Sequence, residues 1–226
     1  MTPLRDETIA RMIEWIGLPT DEIVAEMEDW AAREGFSTVG PEVGRMLALC
    51  ARLLGARDVF GLGFGFGYSA YWIVRTLPAG GRFVLTERDA DVLGAARSAF
   101  ERGDLADRAV FEEGNAIETA EKYDHQGESF DLVVLDHDTA GYVRGFDTVR
   151  GLVAPDGAVV ADNVLATENT AEVLSPAGLL ATLDGERAPN DRTSAVADFY
   201  ERVEADPAFE TYVLPVGEGL VVACKV

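Results

Sequence analysis

The sequence predicts a doubly wound α/β fold: a mostly parallel, seven-stranded sheet covered by helices, with helices ahead of it and an antiparallel hairpin at its end. Three observations predict it. Short apolar runs at 58–62, 82–87, 109–113, 130–136 and 157–161 alternate with helical stretches at 68–77, 89–102, 115–122 and 140–152, and strands separated by helices form a parallel sheet covered on both faces. A glycine run, Gly61-Leu62-Gly63-Phe64-Gly65-Phe66-Gly67, joins the first strand to the helix that follows it. The last two apolar runs, Phe209 to Leu214 and Gly219 to Lys225, are separated only by Pro215-Val216-Gly217-Glu218, short enough for a hairpin.

Ahead of the sheet, Leu4 to Ile16, Thr20 to Arg33 and Pro41 to Leu54 carry apolar residues at helical spacing, and Gly17, Gly35 and Gly55 mark their ends. Pro41 reads as a first-turn proline, with Glu42 beside it at the positive helix end. A helix near Ser194 to Ala205 leads into the hairpin. Between the strand at 157–161 and that helix, Leu165 to Arg192 is rich in Gly, Pro, Asn and Asp and reads as a long irregular loop, of the kind that often covers a substrate. A single domain is expected over 1–226, with N-terminal helices over 1–55, a cofactor-binding core over 56–226 and a substrate loop over 165–192.

At 226 residues the chain has ample material for a buried core. Forty acidic residues stand against 19 basic ones, a formal net charge of −21, and Lys122 and Lys225 are the only lysines. Acid scattered through an otherwise ordinary composition fits a solvated surface adapted to high salt, as in a halophile. In ordinary salt that charge argues against nucleic-acid partners, an exclusion that weakens where molar salt screens the field. No apolar stretch is long enough to span a bilayer, and Met1 to Glu7 has no basic-then-apolar leader pattern, so a cytoplasmic protein is expected. Cys50 and Cys224, far apart in apolar surroundings, read as buried reduced thiols.

Ligands of open parallel sheets bind beyond the C-terminal strand ends. The glycine run lies there, where bare backbone and unpaired helix N–H groups suit a nucleotide-like cofactor, without saying which one. Glu87 ends the second strand, one strand after the glycine loop, where a carboxylate accepts both hydroxyls of a ribose; a solvated loop acid is the plainer alternative. Asp136 ends Leu132-Val133-Val134-Leu135-Asp136 and is followed by His137-Asp138. Asp162-Asn163 ends the next strand; alone it reads as a turn or helix cap. Combined with Asp136 it supplies two carboxylates and a carboxamide, oxygen ligands that suit Mg²⁺ or another hard divalent cation. His137, beside a candidate metal ligand, reads as packing against the cofactor or supporting the site rather than as a direct ligand.

Taken together, Pro41-Glu42-Val43-Gly44, Gly67-Tyr68-Ser69-Ala70, Leu135-Asp136-His137-Asp138, Ala161-Asp162-Asn163-Val164-Leu165 and Leu214-Pro215-Val216-Gly217-Glu218-Gly219-Leu220 resemble the cation-dependent class I S-adenosylmethionine O-methyltransferases, the group of catechol and caffeoyl-CoA O-methyltransferases. The resemblance runs from Pro41 to the end of the chain; the first forty residues and the 165–192 loop match loosely. It implies a Rossmann-like methyltransferase fold and transfer of a methyl group to a hydroxyl of a small vicinal dihydroxy substrate. It implies that Val39, Gly40 and Ser69 hold the methionine end of S-adenosylmethionine, with Gly63, Gly65 and Gly67 beneath it. Glu87 and the adjoining Arg88 would meet the ribose, Asn115 and Ala116 the adenine, and Asp136 and His137 would complete the cofactor site. Asp136, Asp162 and Asn163 would bind the metal. Two departures stand out. Relatives carry a lysine three residues after the first metal aspartate, where this chain has Thr139, and an acidic residue two before the first loop glycine, where it has Gly61. Threonine is no comparable base, so catalysis would rest on Asp136 and the cation, helped by His137 or Asp138.

Three other readings compete. A cofactor-binding protein that has lost catalysis draws on Gly61 and Thr139. An RNA-modifying methyltransferase lacks a basic patch with interleaved aromatics. A nicotinamide dehydrogenase shares the glycine loop and later acid, but the terminal hairpin and the Asp162-Asn163 pair disfavour it. Relatives often dimerise, and the sequence leaves a homodimer open.

Overall fold

A computed structural model describes residues 12, 15, 16, 21–167 and 173–226. The expected helix at Leu4 to Ile16 lies largely outside the described residues. The next helix, α1 (Glu22–Glu34), starts at Asp21, whose carboxylate accepts the Val24 N–H at 2.9 Å, and it stops at Gly35 in a left-handed conformation. Helix α2 (Gly40–Leu53) follows, with Pro41 in its first turn.

Strands β1 (Asp58–Leu62), β2 (Arg82–Glu87), β3 (Ala109–Glu113), β4 (Phe130–Leu135) and β5 (Val153–Ala161) are parallel, and β6 (Phe209–Leu214) and β7 (Leu220–Lys225) close the sheet as an antiparallel hairpin. The spatial order is β3-β2-β1-β4-β5-β7-β6. The chain therefore reverses its direction of travel between β1 and β4, and a crevice opens beyond their C-terminal ends. On one face, α1, α2, α3 (Tyr68–Val74) and α4 (Ala90–Arg102) bury Met27, Leu47, Trp72 and Phe100 against Phe83, Leu85 and Val134. On the other, α5 (Ala116–His125), α6 (Tyr142–Val149), α7 (Pro176–Leu183) and α8 (Asp191–Glu204) cover Phe60, Phe130 and Val133. No helix among the described residues is long and apolar enough to cross a membrane.

Three expectations are corrected. The 165–192 stretch is not irregular throughout: Ser175 caps α7 by accepting the Gly178 N–H, and Pro176 sits in its first turn. Strand β5 begins at Val153, four residues before the expected 157, and its pairing with β4 shifts register between Val153 and Ala158, where Asp156 turns left-handed at φ +62°. The two cysteines are free but only half-buried, since Cys50 on α2 and Cys224 on β7 lie at the margin of the helix–sheet packing.

Asp206, after α8, ties two helices together. Its buried carboxylate takes Arg150 from the end of α6, Arg202 from α8 and the Ala208 N–H. Burial pushes this carboxyl up, but the hydrogen bonds outweigh it and hold it below the usual carboxylate range. A depressed acid stabilises the fold above its unfolded value of about 4, and loses that contribution as pH falls through the folded value. Asp206→Ala is expected to cost about 2 kcal/mol at pH 7, moderated because both arginines are partly solvated, and to flatten the acid limb of stability. Urea denaturation of both proteins between pH 3 and 7 measures this.

Candidate functional site

Two clefts meet at the crevice. The first, about 380 Å³, is walled by Val39, Gly63, Gly65, Ser69, Asp136, Asp162 and Asn163 among others. The second, about 510 Å³, is walled by Glu87, Arg88, Asn115, Ala116, His137 and Asp138 among others. Gly63 and Phe36 line both and form the joint between them. Most of the residues singled out in the sequence thus converge on one crevice. Gly40 and Gly67 line neither cleft. Gly67 caps α3, and a Cβ there would press on Ala96, Leu85 and Phe100 at 3.1–3.2 Å, so its bareness serves core packing.

The glycine run is pinned from beneath by Thr86, a fully buried residue that the sequence reading passed over. Its hydroxyl donates to the Gly61 carbonyl at 2.8 Å and accepts the Gly63 N–H at 3.0 Å, and its carbonyl accepts the Phe64 N–H at 3.1 Å. Gly63 needs to be glycine twice over: its φ is +76°, and a Cβ would come within 2.6 Å of the His137 Cβ. At Gly61 a Cβ would collide with the Phe64 ring and lie 2.8 Å from Phe83. Phe64 therefore occupies the space into which a side chain at 61 would grow. Phe36, also missed, sits in the loop between α1 and α2 and is held there by Trp30 at 5.3 Å and Phe66 at 5.9 Å between ring centroids. Its position depends on tertiary packing and has no local sequence signal.

The polar end of the first cleft is built by neighbouring strand ends. Asp136 follows β4 and accepts the Ser69 hydroxyl at 2.9 Å. Asp162 follows β5 and is 2 % exposed, and its Oδ1 has no hydrogen-bond partner. Asn163 adopts φ +59°, a left-handed conformation that asparagine tolerates. Tyr142, buried under both strands, donates to the Asp162 carbonyl at 3.0 Å. The chain leaving β5 is clamped to the hairpin turn, where the Glu218 carbonyl accepts the Leu165 and Ala166 N–H groups at 2.9 and 3.0 Å. That clamp brings Glu218 into the same cleft.

Burial raises Asp136 to about 7, against the Ser69 hydrogen bond, which lowers it. Asp162 rises to about 8, first through burial and then through the charge of Asp136. Two facing carboxylates in so little solvent do not both ionise readily without a cation between them. An unpartnered buried carboxylate oxygen beside a second carboxylate and a carboxamide is the donor set a hard divalent cation takes. Among the described residues no three His, Cys, Asp or Glu side chains group as metal ligands; the set here is two carboxylates and Asn163.

The catalytic candidates separate. Asp136 lines the first cleft, whereas His137 and Asp138 line the second. The His137 ring packs within about 3 Å of where side chains would start at Gly141 and Gly145, and against Tyr142 at 5.1 Å between centroids. Burial lowers its pKa, outweighing the Gly141 backbone and the Asp138 charge, so the ring is held neutral. Asp138 accepts the Ala140 N–H and starts the turn at Thr139–Gly141.

A sequence profile of the O-methyltransferase family matches residues 19–226. The chain belongs to this family. A catechol O-methyltransferase of Niastella koreensis is 32 % identical over 129 residues, which cover 57 % of this chain and 58 % of that protein. Caffeoyl-CoA O-methyltransferase 2 of Petunia hybrida is 23 % identical over 210 residues, covering 91 % of this chain and 84 % of the relative. In fold, the chain resembles the O-methyltransferase of Bacillus cereus, solved in complex with SAH, with a TM-score of 0.84 at 24 % identity over 97 % of each chain.

The O-methyltransferase departs from the resemblance at two positions that now have surroundings. Thr139 is 3 % exposed in the turn before α6 and lines neither cleft. Gly61 is backed by an aromatic ring, so the acidic residue of relatives is excluded by packing as well as absent.

Proposed function

We propose that this O-methyltransferase moves a methyl group from S-adenosylmethionine to a hydroxyl of a small vicinal dihydroxy, catechol-like acceptor, with Mg²⁺ or another divalent cation held by Asp136, Asp162 and Asn163. The observation that carries the reading is the unpartnered Asp162 Oδ1, buried beside Asp136 and Asn163 at the end of a cleft that joins a second one at Gly63. Bound S-adenosylmethionine would supply an electrophilic methyl carbon. A bound divalent cation would lower the pKa of the acceptor hydroxyl and grip two adjacent oxygens.

The chain's own residues do the rest by placement. In the second cleft Glu87 is set to accept the ribose hydroxyls, and Asn115 and Ala116 edge the adenine. The Asn115 side-chain oxygen Oδ1 is already committed to capping α5 by accepting the Ile117 N–H at 2.9 Å, so its side-chain amide nitrogen is the group left for a ligand. Gly63 and Gly65 let backbone approach the cofactor, and Ser69 fixes the Asp136 carboxylate. Phe36, Phe64 and Phe66 exclude water at the joint. Positioning is then the main contribution of the protein to the rate.

This reading gives His137 and Asp138 no proton to carry. His137→Ala and Asp138→Asn are expected to leave the pH profile of kcat in place and to act through cofactor affinity, within about tenfold. A moved acid or base limb in either variant would restore a helper role.

Calorimetric titration with S-adenosylmethionine tests the cofactor assignment. Saturable binding is expected, weakened about tenfold or more by Glu87→Ala. Absence of binding both with and without Mg²⁺ would overturn the reading.

A further inference from the structure

The ladder between β4 and β5 ends at the Leu135–Ala161 pair, one residue before each of the two carboxylates. Past it, the Asp162 N–H reaches the Leu135 carbonyl at 3.4 Å, too long for a strong bond. Asp136 is fixed from other sides: its N–H donates to the Leu62 carbonyl at 3.1 Å, and its carboxylate accepts the Ser69 hydroxyl at 2.9 Å. Asp162 is buried and its Oδ1 has no partner, so its placement comes chiefly from its backbone. There the Tyr142 hydroxyl donates to the Asp162 carbonyl at 3.0 Å and lies 3.3 Å from the Leu135 carbonyl. A phenol has one proton, so the shorter contact is the bond and the longer one a weak second leg. The Leu135 carbonyl belongs to the peptide leading into Asp136, and the Asp162 carbonyl to the peptide joining Asp162 to Asn163. One hydroxyl therefore touches the backbone of all three candidate ligands. Tyr142 is fully buried at the start of α6, and its ring packs against His137 at 5.1 Å and Phe199 at 5.4 Å between centroids. Burial, and after it the charges of Asp136 and Asp162, push its pKa well above the ordinary tyrosine value, so the hydroxyl stays a donor.

We propose that Tyr142 is the positioning residue of the cation site: by holding together the peptide groups at the ends of β4 and β5, its hydroxyl sets the separation at which Asp136 and Asp162 take a divalent cation. The inference rests on the function proposed above and adds what keeps the two carboxylates in register. Tyr142 lines neither cleft, so it acts through the carboxylates rather than on acceptor or cofactor. Removing a group that orients a metal ligand lowers metal affinity by about 10–100-fold.

The test is Tyr142→Phe, which deletes the hydroxyl and keeps the ring. Mn²⁺ is the probe, its free ion counted by electron paramagnetic resonance in about 0.5 M salt, which suppresses loose binding to the acidic surface. Only the binding that Asp162→Asn abolishes is assigned to the site. Phe146→Leu, a buried change about one turn further along the same helix, controls for loosened packing. Tyr142→Phe is expected to weaken Mn²⁺ binding by about tenfold or more, and Phe146→Leu by less than about twofold. All three proteins are expected to bind S-adenosylhomocysteine alike in the absence of cation. In turnover, the Mg²⁺ concentration for half-maximal rate should rise in Tyr142→Phe, while kcat at saturating Mg²⁺ stays within about threefold of native. Native-like Mn²⁺ affinity in Tyr142→Phe would overturn the inference while leaving the cation reading intact. So would an equal loss in Phe146→Leu, since general loosening would then be the cause. A native protein with no Mn²⁺ site that depends on Asp162 would overturn the cation reading, and this inference with it.

Discussion

Asp162→Asn is expected to lower turnover by about a hundredfold or more and, at the same time, to make the cation-free protein more stable at alkaline pH. Asp162 is buried, with one oxygen unpartnered, and its pKa is raised to about 8 by burial and by Asp136. An acid raised on folding is neutral in the folded protein over a range where the unfolded chain ionises it freely. Stability of the cation-free protein therefore falls as pH climbs from about 4 to about 8. Asparagine cannot ionise and removes this share of the slope, a gain of about 2 kcal/mol at pH 8. If Mg²⁺ binds the ionised pair as proposed, it should stabilise the native protein at pH 8 and leave the variant nearly unchanged. Urea denaturation at pH 5 and 8, with and without Mg²⁺, separates these outcomes. A variant less stable than the native protein at pH 8 would show that Asp162 serves the fold rather than a ligand.

The second large effect is expected at Gly61. Restoring an acid there, Gly61→Asp, drives a side chain into the Phe64 ring and toward Phe83 and buries a charge in an apolar layer. The cost is expected to exceed about 3 kcal/mol, with no gain in cofactor affinity. The double variant Gly61→Asp, Phe64→Ala opens the space and is expected to recover part of the lost stability and to bind S-adenosylmethionine more tightly than the single variant. The two positions would then be coupled, with an interaction energy of about 1 kcal/mol or more in a double-mutant cycle. Additive effects would mean that Phe64 does not stand in for the missing side chain.

The sheet was legible because its signals are local. Apolar runs such as Leu132 to Leu135 are too short for helices, and Gly, Asp and Asn mark their ends. The convergence of Asp136, Asp162 and Asn163 followed from strand ends alone, since a parallel sheet brings all its C-terminal ends to one edge. Helix α7 was hidden because Pro176–Leu183 is short and apolar without periodicity, and Pro and Gly flank or enter it. The division of Asp136 from His137 and Asp138 was equally hidden: adjacency in sequence says nothing about which of two clefts each side chain enters. Thr86 and Phe36 were missed for opposite reasons. Thr86 looks like any buried β-branched strand residue until its hydroxyl is seen bridging the glycine run, and Phe36 looks like any loop residue until Trp30 and Phe66 fix it. Phe64 behind Gly61 belongs with them, because a side chain filling another residue's space exists only in three dimensions.

Asp136, Asp162 and Asn163 are proposed to hold a divalent cation on which methyl transfer depends. The most direct test is transfer of isotopically labelled methyl from S-adenosylmethionine to 3,4-dihydroxybenzyl alcohol, measured after exhaustive chelation and again after Mg²⁺ is restored. Transfer is expected to disappear on chelation and to return with Mg²⁺. Undiminished transfer by the metal-free protein would contradict it.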